Sequence, residues 1–126
     1  MSSFAPESFK VLTTLAAYRI VIANTAGANT VAYPSAATAR PIGITVDTVK
    51  DTTSAIPVAI MGRAKLTFNE TMSTGGLVAA DSAGRGVPHA DTTAGSYVIG
   101  VLVGPNVSQT GQVAEVLIQP HFKSIP

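Results

Sequence analysis

The chain has 126 residues, zero cysteines and a formal net charge of +1, from eight Lys/Arg against seven Asp/Glu. One domain of ordinary size is expected; disulfides, thiolate catalysis and cysteine-based zinc sites are excluded; and no broad field exists to attract nucleic acid or an anionic membrane surface. Charged residues are only 12% of the chain, against about 25% in an ordinary domain, so few ions need to be desolvated when a partner covers its surface.

Residues 1–14 differ from the rest: Ser2, Ser3, Pro6 and Ser8 alternate with Phe4, Phe9, Val11 and Leu12, and two of the four phenylalanines sit here. Pro6 forbids a helix interior, and the reading is an extended N-terminal arm that orders on a partner or a neighbouring subunit. A strand of the domain's own sheet is the competing reading for Phe9 to Leu12. The start MSSFAPESFK lacks the layout of a secretory signal. No apolar run approaches the roughly 20 residues of a membrane span, so a soluble chain made in the cytoplasm is expected.

Residues 15–126 read as one domain of short apolar runs divided by Gly, Pro, Asn, Asp and Thr, the spacing of barrels and sandwiches. The runs are 18–23, 41–46, 56–61, 64–68, 97–103 and 113–119. Within them Ile42, Ile44 and Val46, then Ile56, Val58 and Ile60, then Ile99, Val101 and Val103 each form one expected core face. Gly43 and Gly100 interrupt their runs, as at a bulge or a close backbone approach.

Shifting the chain by 57 residues aligns IVIANTAG (20–27) with LVAADSAG (77–84) and PIGITV (41–46) with VIGVLV (98–103). Over residues 18–49 the shift gives eight identities in 32 positions, where composition alone would give about three. One inserted residue then brings PVAI (57–60) onto EVLI (115–118). Two copies of one β-unit, each covering the other's apolar face, would make a barrel or sandwich with internal pseudo-twofold symmetry; coincidence in an Ala-rich β-sequence is the competing account.

Chemistry finds little footing. The histidines, His89 and His121, belong to no metal-ligand spacing, no Gly-x-Ser-x-Gly elbow exists, and the carboxylates sit mostly in turn-like settings. Gly75-Gly76 and the Gly84 to Gly86 stretch lack the ending of a phosphate loop. Lys50 stands where a lipoyl or biotinyl carrier holds its modified lysine, yet Val49 and Asp51 do not reproduce that setting. No catalytic, cofactor or metal site is expected, and no enzyme activity.

In order and spacing, Ala17 to Val21, Ile42 to Thr45, Val58 to Gly62, Gly75 to Gly84, Ile99 to Leu102 and Val113 to Pro120 resemble the small capsid decoration, or cement, proteins of tailed bacteriophages, in particular the DUF2190 family. The resemblance covers about four-fifths of the chain. It implies an all-β barrel or tulip-like fold, a homotrimer, docking on the outer surface of a phage head, the major capsid protein as partner, and stabilisation of the expanded shell by cross-linking of its subunits. Under it, Phe4, Pro6, Phe9, Lys10, Val11 and Leu12 become the candidate capsid-binding or subunit-binding residues, and deleting residues 1–14 should weaken capsid occupancy while leaving the barrel folded. A carrier domain and a tail or fibre component are the alternatives.

Overall fold

Branched and aromatic residues recur through short runs with no helical period, and strands are the outcome. The computed structural model describes residues 4–11, 15–23, 30–34, 40–46, 48, 55–89 and 96–123, by backbone alone at 4–8, 96 and 120–123, and contains no helix among them. Nine strands follow in order: β1 (Phe4–Val11), β2 (Ile20–Ala23), β3 (Thr30–Ala32), β4 (Pro41–Thr45), β5 (Ile56–Thr67), β6 (Leu77–Ala80), β7 (Gly86–Pro88), β8 (Ser96–Leu102) and β9 (Val113–Lys123). They form one sheet in the order β1-β3-β2-β4-β5-β9-β8-β6-β7, and an additional β1–β5 pairing closes the first five into a ring.

Excluding β1, this order is a palindrome about the β5–β9 pair, and the registers repeat with it. Ile20 opposite Ile44 and Val21 opposite Gly43 become Leu77 opposite Val101 and Val78 opposite Gly100, the expected shift of 57. Ile44 opposite Ala59 becomes Val101 opposite Leu117, which includes the one-residue insertion. The connections repeat as well. Tyr18 N donates to Thr45 O (2.8 Å) as Gly75 N does to Leu102 O (2.7 Å), and Val46 N to Pro57 O as Val103 N to Glu115 O.

The duplication also reaches further toward the N-terminus than the identities do. β1 is antiparallel to the first half of β5 (Phe9 opposite Ile56, Pro6 opposite Ala59) and parallel to β3. The second half of β5 is antiparallel to β9 (Thr67 opposite Val113, Ala64 opposite Val116), and Phe68 just after it makes a parallel bridge to Gly86. β1 is therefore the counterpart of residues 62–68, and β5 is shared by two similar five-stranded units. The expectation of one barrel built from two halves is refined accordingly: the first half closes its own ring with β1, and the second curls similarly, held at the Phe68–Gly86 bridge. For Phe9 to Val11, the pairing is that of a strand in the domain's own sheet.

Two apolar clusters match the two units. Val11, Leu15, Val21, Val31, Ile56 and Val58 fill the first, with Phe9, Tyr33, Ile42 and Ile60 packed against them. Leu66, Phe68, Val78, Ile99, Leu102 and Val116 lie in the second, which Ile20, Ile44 and Ala59 join from the opposite face of β2, β4 and β5. Neighbouring residues on a strand face opposite ways, so Val21 serves one cluster and Ile20 the other, and the two units pack wall to wall. The expected single face of Ile42, Ile44 and Val46 is corrected here. The β2–β4 register shifts between Val21 and Ile22, making Ile42 the extra residue of a bulge, and Ile42 and Ile44 serve different clusters.

The β6–β7 turn ties the units together. Asp81 Oδ1 accepts from the amides of Ala83 (2.9 Å) and Arg85 (2.8 Å), and Oδ2 from Arg85 Nε (3.1 Å). This fixes Gly84 in the left-handed region (φ 77°), where its carbonyl accepts from Ile20 N at 2.6 Å and Ala83 O accepts from Arg19 Nη1 at 3.2 Å. Asp81→Ala leaves two turn amides without their acceptor and is expected to cost about 1–2 kcal/mol, read as a lower urea midpoint at unchanged slope.

Candidate interaction surface

The residues singled out in the N-terminal segment are distributed as follows. Phe4 and Pro6 lie in β1 opposite Gly62 and Ala59. Phe9 is half-buried against the first cluster, Val11 is buried within it, and Lys10 between them is exposed. Leu12 lies outside the described residues, as does Lys50. His89 is half-buried after β7 and His121 is placed in β9; among the described residues no group of three His, Cys, Asp or Glu side chains is positioned to hold a metal ion.

A different surface emerges where β5 and β9 run side by side. On the second half of β5, Ala64 and Leu66 turn inward while Met61, Arg63 and Lys65 are exposed, as strand alternation requires. The register sets Lys65 opposite Glu115, Arg63 opposite Leu117 and Thr67 opposite Val113, so these side chains share one outer face. Met61 (56% exposed) and Val113 (42%), the two large apolar residues most open to solvent among those described, lie at its two ends.

Between them is a groove of about 270 Å3 lined by Tyr18, Thr45, Val46, Arg63, Ala64, Lys65 and Glu115. Its size is below the roughly 300–1,000 Å3 of sites that enclose small molecules, and it suits a side chain. Glu115 pairs diagonally with Arg63 (Nε to Oε2, 3.6 Å), both side chains about half exposed. Such a pair adds about 0–1 kcal/mol to stability. Lys65, directly opposite Glu115, has no ion-pair partner among the described residues.

Tyr18 is the one non-glycine residue described with positive φ (62°). Its backbone is held there: Tyr18 N donates to Thr45 O and Tyr18 O accepts from Thr67 N, both at 2.8 Å. The left-handed region costs a side-chain-bearing residue about 1 kcal/mol. At the corresponding position of the second unit stands Gly75 (φ 92°), which adopts it without that cost.

Sequence reasoning did not find this face. The apolar stretch breaks at Gly62-Arg63, so residues 56–61 and 64–68 read as two strands where the chain makes one, and their outward side chains were never set in a row. The signal was present in the shift of 57, which places Tyr18 on Gly75 in a turn.

No family model matches the chain, and no curated protein matches it. Among solved structures, the chain is similar in fold to the N base of head fiber gp8.5 in bacteriophage phi29, with a TM-score of 0.67 at 17% identity. The likeness spans 92% of this chain and 94% of that one.

Proposed function

We propose that this chain is a structural protein of a phage head: a decoration protein that binds the outer capsid surface as a trimer and stabilises the expanded shell by cross-linking major capsid protein subunits. The observation that carries the reading is the near-complete fold likeness, over 92% of this chain, to a protein described as the base of a phage head fiber. The charge-poor composition, 12% charged residues, suits a surface that other protein covers.

The work required is binding, without catalysis or a cofactor. A ligand stabilises whichever state it prefers, so a protein that docks only on the expanded lattice opposes its collapse. Each site held at a free concentration of 100 times Kd contributes about 2.7 kcal/mol. A three-fold ring is a closed heterologous assembly, which needs two complementary patches on each subunit and leaves a further face for the shell. In this reading the exposed Lys10 contacts the capsid or the adjacent subunit.

Purified protein mixed with expanded, undecorated heads should co-sediment and saturate at a stoichiometry set by the capsid symmetry. Absence of binding at micromolar protein would refute the proposal. The neighbour's description as a head fiber base favours one alternative role, that of a foot for a head appendage; negative-stain images of virions distinguish an even coat from a few discrete positions.

A further inference from the structure

The outer β5–β9 face carries four features at one place. It has two exposed apolar side chains, Met61 and Val113, a groove between them, and a lysine without an ion partner among the described residues. Beside these, Tyr18 is held in a conformation that its counterpart in the other unit meets with glycine. The last feature weighs most, because the molecule contains its own control. The equivalent turn, whose residue 75 amide donates to Leu102 O as that of Tyr18 does to Thr45 O, is made by glycine, so a tyrosine at residue 18 is not needed for that bond. Its side chain lines the groove, and its hydroxyl has no hydrogen-bond partner among the described residues. Strain kept at one position and absent from its equivalent marks a side chain retained for contact with something else.

Resting on the function proposed above, we infer that this face is the docking surface for the shell, and that its groove receives an acidic side chain of a capsid subunit. The carboxylate lies between the Lys65 ammonium and the Tyr18 hydroxyl, while Met61 and Val113 cover apolar surface on either side. Charge assigns the occupant. With Glu115 engaged by Arg63, the groove keeps one uncompensated cation, the exposed Lys65, and a surface that covers this lysine on docking must supply it with an anion. An apolar rim around a charge-assisted hydrogen bond from a tyrosine is the composition of an interface anchor.

The test measures binding isotherms of the full chain on expanded heads, together with thermal unfolding and sedimentation velocity of the free protein. Tyr18→Gly should unfold at the wild-type temperature or a few degrees higher, yet bind roughly tenfold more weakly. Lys65→Glu should keep its melting temperature and also bind at least about tenfold more weakly, while Lys65→Arg stays close to wild type. Destabilisation by Tyr18→Gly, or wild-type binding by both Tyr18→Gly and Lys65→Glu, overturns the inference and leaves the decoration role standing. Free protein whose trimer dissociates on Lys65→Glu also overturns it, by making a second copy the occupant. Wild-type protein that leaves heads bare overturns both.

Discussion

Gly100→Ala is expected to lower stability by about 3 kcal/mol or more and the melting temperature by roughly 10 °C or more. A methyl group at Gly100 would fall on the carbonyl oxygen of Leu117, with the carbonyl carbon at 2.9 Å and Gln119 N at 3.1 Å. These are backbone atoms of the neighbouring strand and cannot rotate aside, so β8 and β9 must separate where they are paired. Gly43 stands in the same relation to Ala59 O, with Val58 Cγ1 at 2.7 Å, and Gly43→Ala should cost a similar amount. Gly111→Ala is the comparison: nothing lies within 4 Å of the added methyl, and only the positive φ of 89° is unfavourable, a cost of about 1 kcal/mol. Thermal unfolding followed by circular dichroism gives the ranking. Equal losses for Gly100→Ala and Gly111→Ala would mean that β8 and β9 do not approach so closely.

These two glycines illustrate what the sequence reveals. A glycine inside a branched apolar run has two common causes, close approach of another backbone and a bulge, and both operate here, so Gly43 and Gly100 were interpretable from sequence together with the all-β class. The duplication was legible for the same reason: the glycines of IG at 42–43 and 99–100 stand at positions that geometry restricts. Its true start was not. Residues 5–11 and 62–68 play one structural role through APESFKV and GRAKLTF, and an outer barrel wall demands only extension and alternation, which many residues satisfy. The β5–β9 face was hidden for a related reason. A row of outward side chains exists only once the register is set, and Lys65 meets Glu115 across 50 residues of sequence. Only Tyr18 carried a local sign, and it becomes visible when the two units are compared with each other.

Removal of residues 1–11 is expected to unfold the first unit. An arm that ordered only on a partner would leave circular dichroism and melting temperature unchanged, but β1 pairs on both sides, with β3 and with β5, and it completes the ring. Its loss takes Val11 out of the first core and Phe9 off its side, worth about 1.5–3 kcal/mol for a fully buried side chain of this kind. It also strips partners from backbone groups along residues 56–59 and 30–31, each costing about 1–3 kcal/mol where water cannot reach it. Together these rival the roughly 5–15 kcal/mol that holds a typical domain folded. The damage should spread, because Ile20, Ile44 and Ala59 leave the first unit's wall to join the second core. Amide exchange should therefore show β2, β3 and β4 unprotected and β8 and β9 weakened, and a synthetic peptide of residues 1–14 added in trans should restore protection by refilling the open seam. A truncated protein with wild-type exchange and melting temperature would instead return residues 1–11 to the role of a free arm, and would remove the structural counterpart that pairs β1 with the second half of β5.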